Sequence, residues 1–120
     1  MKFTVLHRLP GYNELHKGHW AARQRIKNDA MDCVVWYAKR ARLQPASGKV
    51  CVKITCYEPN RKRDPSNVRA GAEKIILDAL QNCGIIKNDN WAMLEDCPAQ
   101  VYYDSANPRV EVEIIEVEIK

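Results

Sequence analysis

The chain has 120 residues, 46% hydrophobic and 28% charged, with a formal net charge of +4. That length provides one domain with one modest core, and the composition excludes global disorder. No apolar run reaches the roughly 18 residues of a membrane-spanning helix. Met1–Pro10 lacks the apolar stretch of a secretion signal, so the expected compartment is the cytosol.

Five cysteines (Cys33, Cys51, Cys56, Cys83, Cys97) include no C-x-x-C pair. A disulfide framework and a four-cysteine zinc site are therefore unsupported, and the thiols read as small, mostly buried apolar residues. The net positive charge favours polyanions. Its distribution says more: Arg61, Lys62 and Arg63 run in succession through a turn, while Glu111, Glu113, Glu116 and Glu118 alternate with apolar residues along a strand.

In chain order, Phe3–Leu9 has strand parity and ends at Pro10-Gly11. From about His19 to Leu43, Ile26, Ala30, Cys33, Val34, Tyr37 and Ala41 recur at helical spacing. Pro45 and Gly48 mark a turn. Val50–Cys56 alternates cleanly and is the clearest strand, ended by Pro59. A second helix is expected from about Ser66 to Asn82, stopped by Gly84. A short strand follows at Gln100–Asp104, then a turn at Asn107-Pro108. The last strand runs Val110–Ile119, where the apolar parity switches after Ile114, as a β-bulge or a strong twist would require. The order β-α-β-α-β-β predicts a single α+β domain, residues 1–120: a mixed or antiparallel sheet packed against two helices.

The chemistry concentrates between Arg61 and Trp91. At 100° per residue, Val68, Ala72, Ile75, Ile76, Ala79 and Leu80 share one arc of the second helix and form its buried face. Asn67, Gly71, Lys74 and Asp78 share another, giving a polar stripe. Gly71 costs helix stability of about 1 kcal/mol, and permits close approach of another backbone or of a ligand. Asp64 precedes the helix in Asp64-Pro65-Ser66-Asn67, where the simple role is an N-cap. Asp89 follows it in Lys87-Asn88-Asp89-Asn90, where the simple role is a turn aspartate. Brought together by a fold-back, the two carboxylates and Lys74 suit a hard-cation site for phosphodiester cleavage. Lys74 then stabilises transition-state charge, and Arg61, Lys62, Arg63 and Arg69 hold flanking phosphates.

These residues resemble the RusA family of Holliday junction resolvases, which includes many prophage members. The matching elements are Arg61-Lys62-Arg63, Asp64-Pro65-Ser66-Asn67, Lys74, Asp78-Ala79-Leu80, Gly84 and Asn88-Asp89, with Leu9-Pro10-Gly11-Tyr12-Asn13 near the start. The resemblance implies a RusA-like fold and a homodimer that binds four-way DNA junctions and nicks opposing strands symmetrically. It also implies magnesium, or manganese in its place, bound by acids at the positions of Asp64, Ser66 and Asp89, with Lys74 essential. Asn67 and Asp78 stand behind that set. Ser66 departs from the pattern, because the family has a second aspartate there. A hydroxyl is a far poorer cation ligand than a carboxylate. The alternative is thus a protein that binds branched DNA with weak or lost cleavage.

Other signals carry less. His16 and His19 lack the further ligands of a zinc site. Trp20, Trp36 and Trp91 are expected to pack in the core or a dimer interface, with Trp91 best placed to stack on a base. Lys17, Arg23, Arg25 and Lys27 read as an addition to a DNA surface, and almost as well as a solvated helix face.

Overall fold

A computed structural model of the chain describes residues 1–117, so Glu118 and Ile119 of the expected last strand lie outside the described residues. The alternating segment at its centre forms β2 (Val50–Glu58), with Val50, Val52, Ile54, Cys56 and Glu58 buried on one face. The strand β5 (Arg109–Glu116) pairs with it antiparallel from Val50↔Glu116 to Tyr57↔Arg109. On the other side of β5 lies β1 (Lys2–Val5), also antiparallel. The far edge of β2 carries two short parallel strands, β3 (Leu94–Glu95) and β4 (Gln100–Tyr103).

Two helices pack on the buried face, and a short one, first in the chain, sits against both of them. The first, α1 (Tyr12–His16), is a single turn, in which the Glu14 carboxylate accepts from Gly11 N at 3.3 Å. The long α2 (Trp20–Arg40) starts at His19, whose ring Nδ1 accepts from Ala21 N, and it buries Ala30, Val34 and Ala38. The third, α3 (Pro65–Asn82), buries the six apolar residues expected of it, and Gly84 ends it at φ +79°. A left-handed residue suits glycine, which has no Cβ to clash.

The α+β class and the mixed sheet agree with the sequence reading, but the described residues form three helices rather than two. The extra one is α1, too short to show an apolar period. The strand β3 was also unforeseen, being two residues long. The first strand stops at Val5 rather than Leu9, and Leu6 and His7 are exposed. No bulge interrupts β5: its register with β2 is continuous, and Ile115 simply faces outward at 44% exposure. Of the cysteines only Cys56 is fully buried, and all five are free. The three tryptophans are exposed, so the expectation of core packing within the chain fails. No helix among the described residues is long and apolar enough to cross a membrane.

Candidate functional site

The turn after β2 delivers Asp64 to the start of α3. Its backbone is extended and its carbonyl accepts from Val68 N at 3.1 Å, yet its side chain makes no capping hydrogen bond. The carboxylate is exposed at the positive end of the helix dipole, where a negative charge is favoured. Ser66 is exposed two residues on. Asn67 faces the other way: its Oδ1 accepts from Asn13 N at 2.8 Å. The notch at Gly71 is filled by the chain itself, since a Cβ there would lie 2.6 Å from Gly11 Cα. Gly71 therefore serves backbone approach by Pro10-Gly11 rather than a ligand.

The basic turn divides into two halves. Arg63 points inward, donating through Nε to Glu58 Oε1 and through Nη1 to Leu9 O and Glu14 Oε1, each at 2.9 Å. Arg8 Nη2 reaches the same Glu58 oxygen at 2.9 Å. Burial works against the charge on Glu58, which is only 5% exposed. Hydrogen bonds from Arg8 and Arg63 outweigh it and hold the carboxyl below its ordinary value. Arg69 donates to Ala99 O at 2.9 Å. Two of the four cations expected at phosphates, Arg63 and Arg69, are thus engaged within the protein, while Arg61 and Lys62 are exposed.

Along α3, Asp78 lies between Lys74 at 3.2 Å and Lys27 of α2 at 3.1 Å. Lys74 therefore faces α2, roughly 15 Å along the helix from Asp64 at 1.5 Å per residue. Asp89 sits in the loop after the helix. It is exposed, its N–H donates to Asn88 Oδ1 at 2.7 Å, and it lines an open cleft with Lys49, Trp91, Leu94, Glu95 and Asp96. That cleft lies at the start of β2, where Val50 N donates to Met93 O, whereas Asp64 lies at its other end beside Glu58. The two acids are separated by about the length of α3, some 25 Å. Among the described residues, no three His, Cys, Asp or Glu side chains lie close enough together to hold a metal ion. One chain does not bring Asp64, Lys74 and Asp89 together.

The sheet also builds an aromatic ladder that no sequence period reveals. Arg109, Tyr57 and Tyr102 are register partners across β5, β2 and β4. The Arg109 guanidinium lies 3.8 Å from the Tyr57 ring centroid, and Tyr57 stacks on Tyr102 at 5.8 Å. Alternation alone shows that such rings share a face, but only strand pairing puts them in line.

A family model described as "Endodeoxyribonuclease RusA" matches residues 16–115. A search of curated proteins found no match. The matched span takes in α2, β2, the turn bearing Asp64, all of α3 and the Asp89 loop, so it covers both ends of the candidate site. On that match the chain belongs to the RusA family of endodeoxyribonucleases, whose substrate is DNA.

Proposed function

We propose that the protein is a metal-dependent endonuclease that binds four-way DNA junctions as a homodimer and nicks opposing strands symmetrically. The observation that carries this reading is the uncommitted Asp64 carboxylate at the start of α3, beside exposed Arg61 and Lys62, in a RusA-family chain. An aspartate that served only to cap the helix would bond its own backbone, and this one does not.

The separation of the two acids sets the form of the site. A single chain does not fit the expected metal. A two-fold axis that sets opposite ends of two α3 helices side by side joins Asp64 to the partner subunit's Asp89. Magnesium, or manganese, is then held by those two carboxylates, a usual number for magnesium. Such an ion supplies positive charge at the scissile phosphate. The protein's own part is to position DNA: Arg61 and Lys62 hold phosphates, and Lys74, steadied by Asp78, adds a cation midway along α3. Two identical sites match the two-fold symmetry of a four-way junction.

The test is nicking of a labelled synthetic four-way junction, with magnesium and with chelator, beside a linear duplex. Asp64→Asn and Asp89→Asn should each lower nicking at least about 100-fold, the scale at which removing one transition-state-stabilising group acts. Mixing the two variants should restore nicking of a single strand, because each mixed dimer keeps one intact pair of acids. Failure of the mixture to recover would sink the shared site, and equal cutting of linear duplex would sink junction specificity. Ser66 favours a second reading, binding with weak cleavage, because it brings no charge to the metal. Ser66→Asp should then raise nicking at low magnesium, whereas an unchanged magnesium dependence would remove Ser66 from the site.

A further inference from the structure

The outer face and tip of β4 carry more exposed aromatic surface than the fold needs. Tyr102 and Tyr103 are each 53% exposed on a strand at the sheet edge. Successive strand residues point to opposite faces, so the two rings flank the strand. The ladder Arg109–Tyr57–Tyr102 is stiffened at its inner end, where Arg109 is fixed by Asp104 at 3.0 Å and Glu111 at 2.9 Å. It stops at Tyr102, and among the described residues no further ring stacks on it. On the other side, Arg61 lies 5.0 Å from the Tyr103 ring centroid.

This edge is fixed to the Asp64 end of the molecule. Asp104 N donates to Glu58 O at 2.8 Å, and the Glu58 carboxylate holds Arg63, the residue before Asp64. Arg61 and Lys62, both exposed, give the surrounding turn a positive charge. Half-exposed rings beside exposed cations match the chemistry of unpaired nucleic acid, where bases stack on the rings and phosphates meet the cations. An intact duplex offers no free base face. At four residues, β4 is a short template for adding a strand from a second copy.

We infer that the Tyr102–Tyr103 edge of β4 is a stacking platform for unpaired bases of branched DNA, held beside Asp64. The inference rests on the nuclease reading above. It adds a contact to bases at a site otherwise described by acids and phosphate-binding cations.

The experiment places 2-aminopurine at each branch-point position of a synthetic junction and reads its fluorescence and the junction affinity in chelator. The variants are Tyr102→Ala, Tyr103→Ala and the corresponding Phe substitutions, each first checked by thermal melting. Wild type should quench the probe at one or more positions. Each Ala variant should lose quenching and bind the junction about tenfold more weakly. The Phe variants should match wild type, and all should bind linear duplex alike. Equal quenching by wild type and both Ala variants would overturn the platform while leaving the nuclease reading intact. A loss as large in Phe as in Ala would assign the effect to the hydroxyls and overturn it too. An Ala variant that changes oligomeric state instead of quenching would give the edge to a second copy. If wild type binds no junction, the platform and the nuclease reading fall together.

Discussion

At its first turn α3 is tied down by side chains that reach far along the sequence. Arg63 bonds residues 54 and 49 positions away, at Leu9 and Glu14, and Asn67 bonds Asn13 across 54. Past its last turn, the loop around Asp89 is shaped by side-chain bonds that span one to three positions: Asn88 to Asp89, and Asn90 to Ala92 and Met93. One candidate acid thus stands on a frame held by the whole fold, and the other on a segment that mostly holds itself. The first is preorganised. The second can settle against whatever meets it at low cost, as local bonds in exposed segments open most easily.

The sharpest way to break this comparison is at Glu58. Glu58→Ala should cost about 3 kcal/mol, because it removes the buried partner shared by Arg8 and Arg63 and leaves Arg63 only the exposed Glu14. Urea unfolding measures it, and a loss no larger than that of an ordinary surface substitution would mean the frame is not held there. The same group fixes a pH dependence. Its carboxyl is held below the ordinary value of 4.5, so its contribution is complete above that value and disappears as pH falls through its native one. Melting temperature should therefore fall on acidification, and Glu58→Gln should flatten that fall.

Gly71→Ala is the next probe. The added methyl collides with the Pro10-Gly11 backbone, an overpacking cost of about 1–3 kcal/mol. Better helix propensity returns about 1 kcal/mol. A net loss of about 1 kcal/mol is expected, and a gain in stability would show that α1 is not seated against α3. The smallest effect belongs to the other end. Trp91 is 93% exposed, so Trp91→Ala should change stability by less than about 0.5 kcal/mol. A larger loss that depends on protein concentration would show that a second copy covers the ring.

The same contrast explains what the sequence could tell. The face of α3 was legible because Val68, Ala72, Ile75, Ile76, Ala79 and Leu80 follow one period, and burial enforces it. Gly71 was legible as a point of close approach, though not whose backbone fills it. In one dimension Arg63 looks no different from Arg61 and Lys62, and Arg69 looks like any cation on a helix. Their partners, Glu58, Glu14, Leu9 and Ala99, are set by tertiary contacts that no local pattern encodes. The fold-back that was to join Asp64 and Asp89 is set by direction. The chain runs up β2 and back down α3, and so leaves the two acids at opposite ends. The ladder of Arg109, Tyr57 and Tyr102 required a register, and β4 is parallel to β2, a pairing made across a long connection.

The far edge of β2 has a consequence for behaviour at high concentration. It is covered in two pieces, β3 opposite Val50 and Cys51 and β4 opposite Thr55 to Glu58, with a gap between them. A long flat edge is a template on which further chains add as strands and grow into aggregates. Here neither border of the sheet offers one: β1 has four residues, β3 two and β4 four. Among the described residues the interrupted edge therefore leaves an incoming strand only short stretches to pair with.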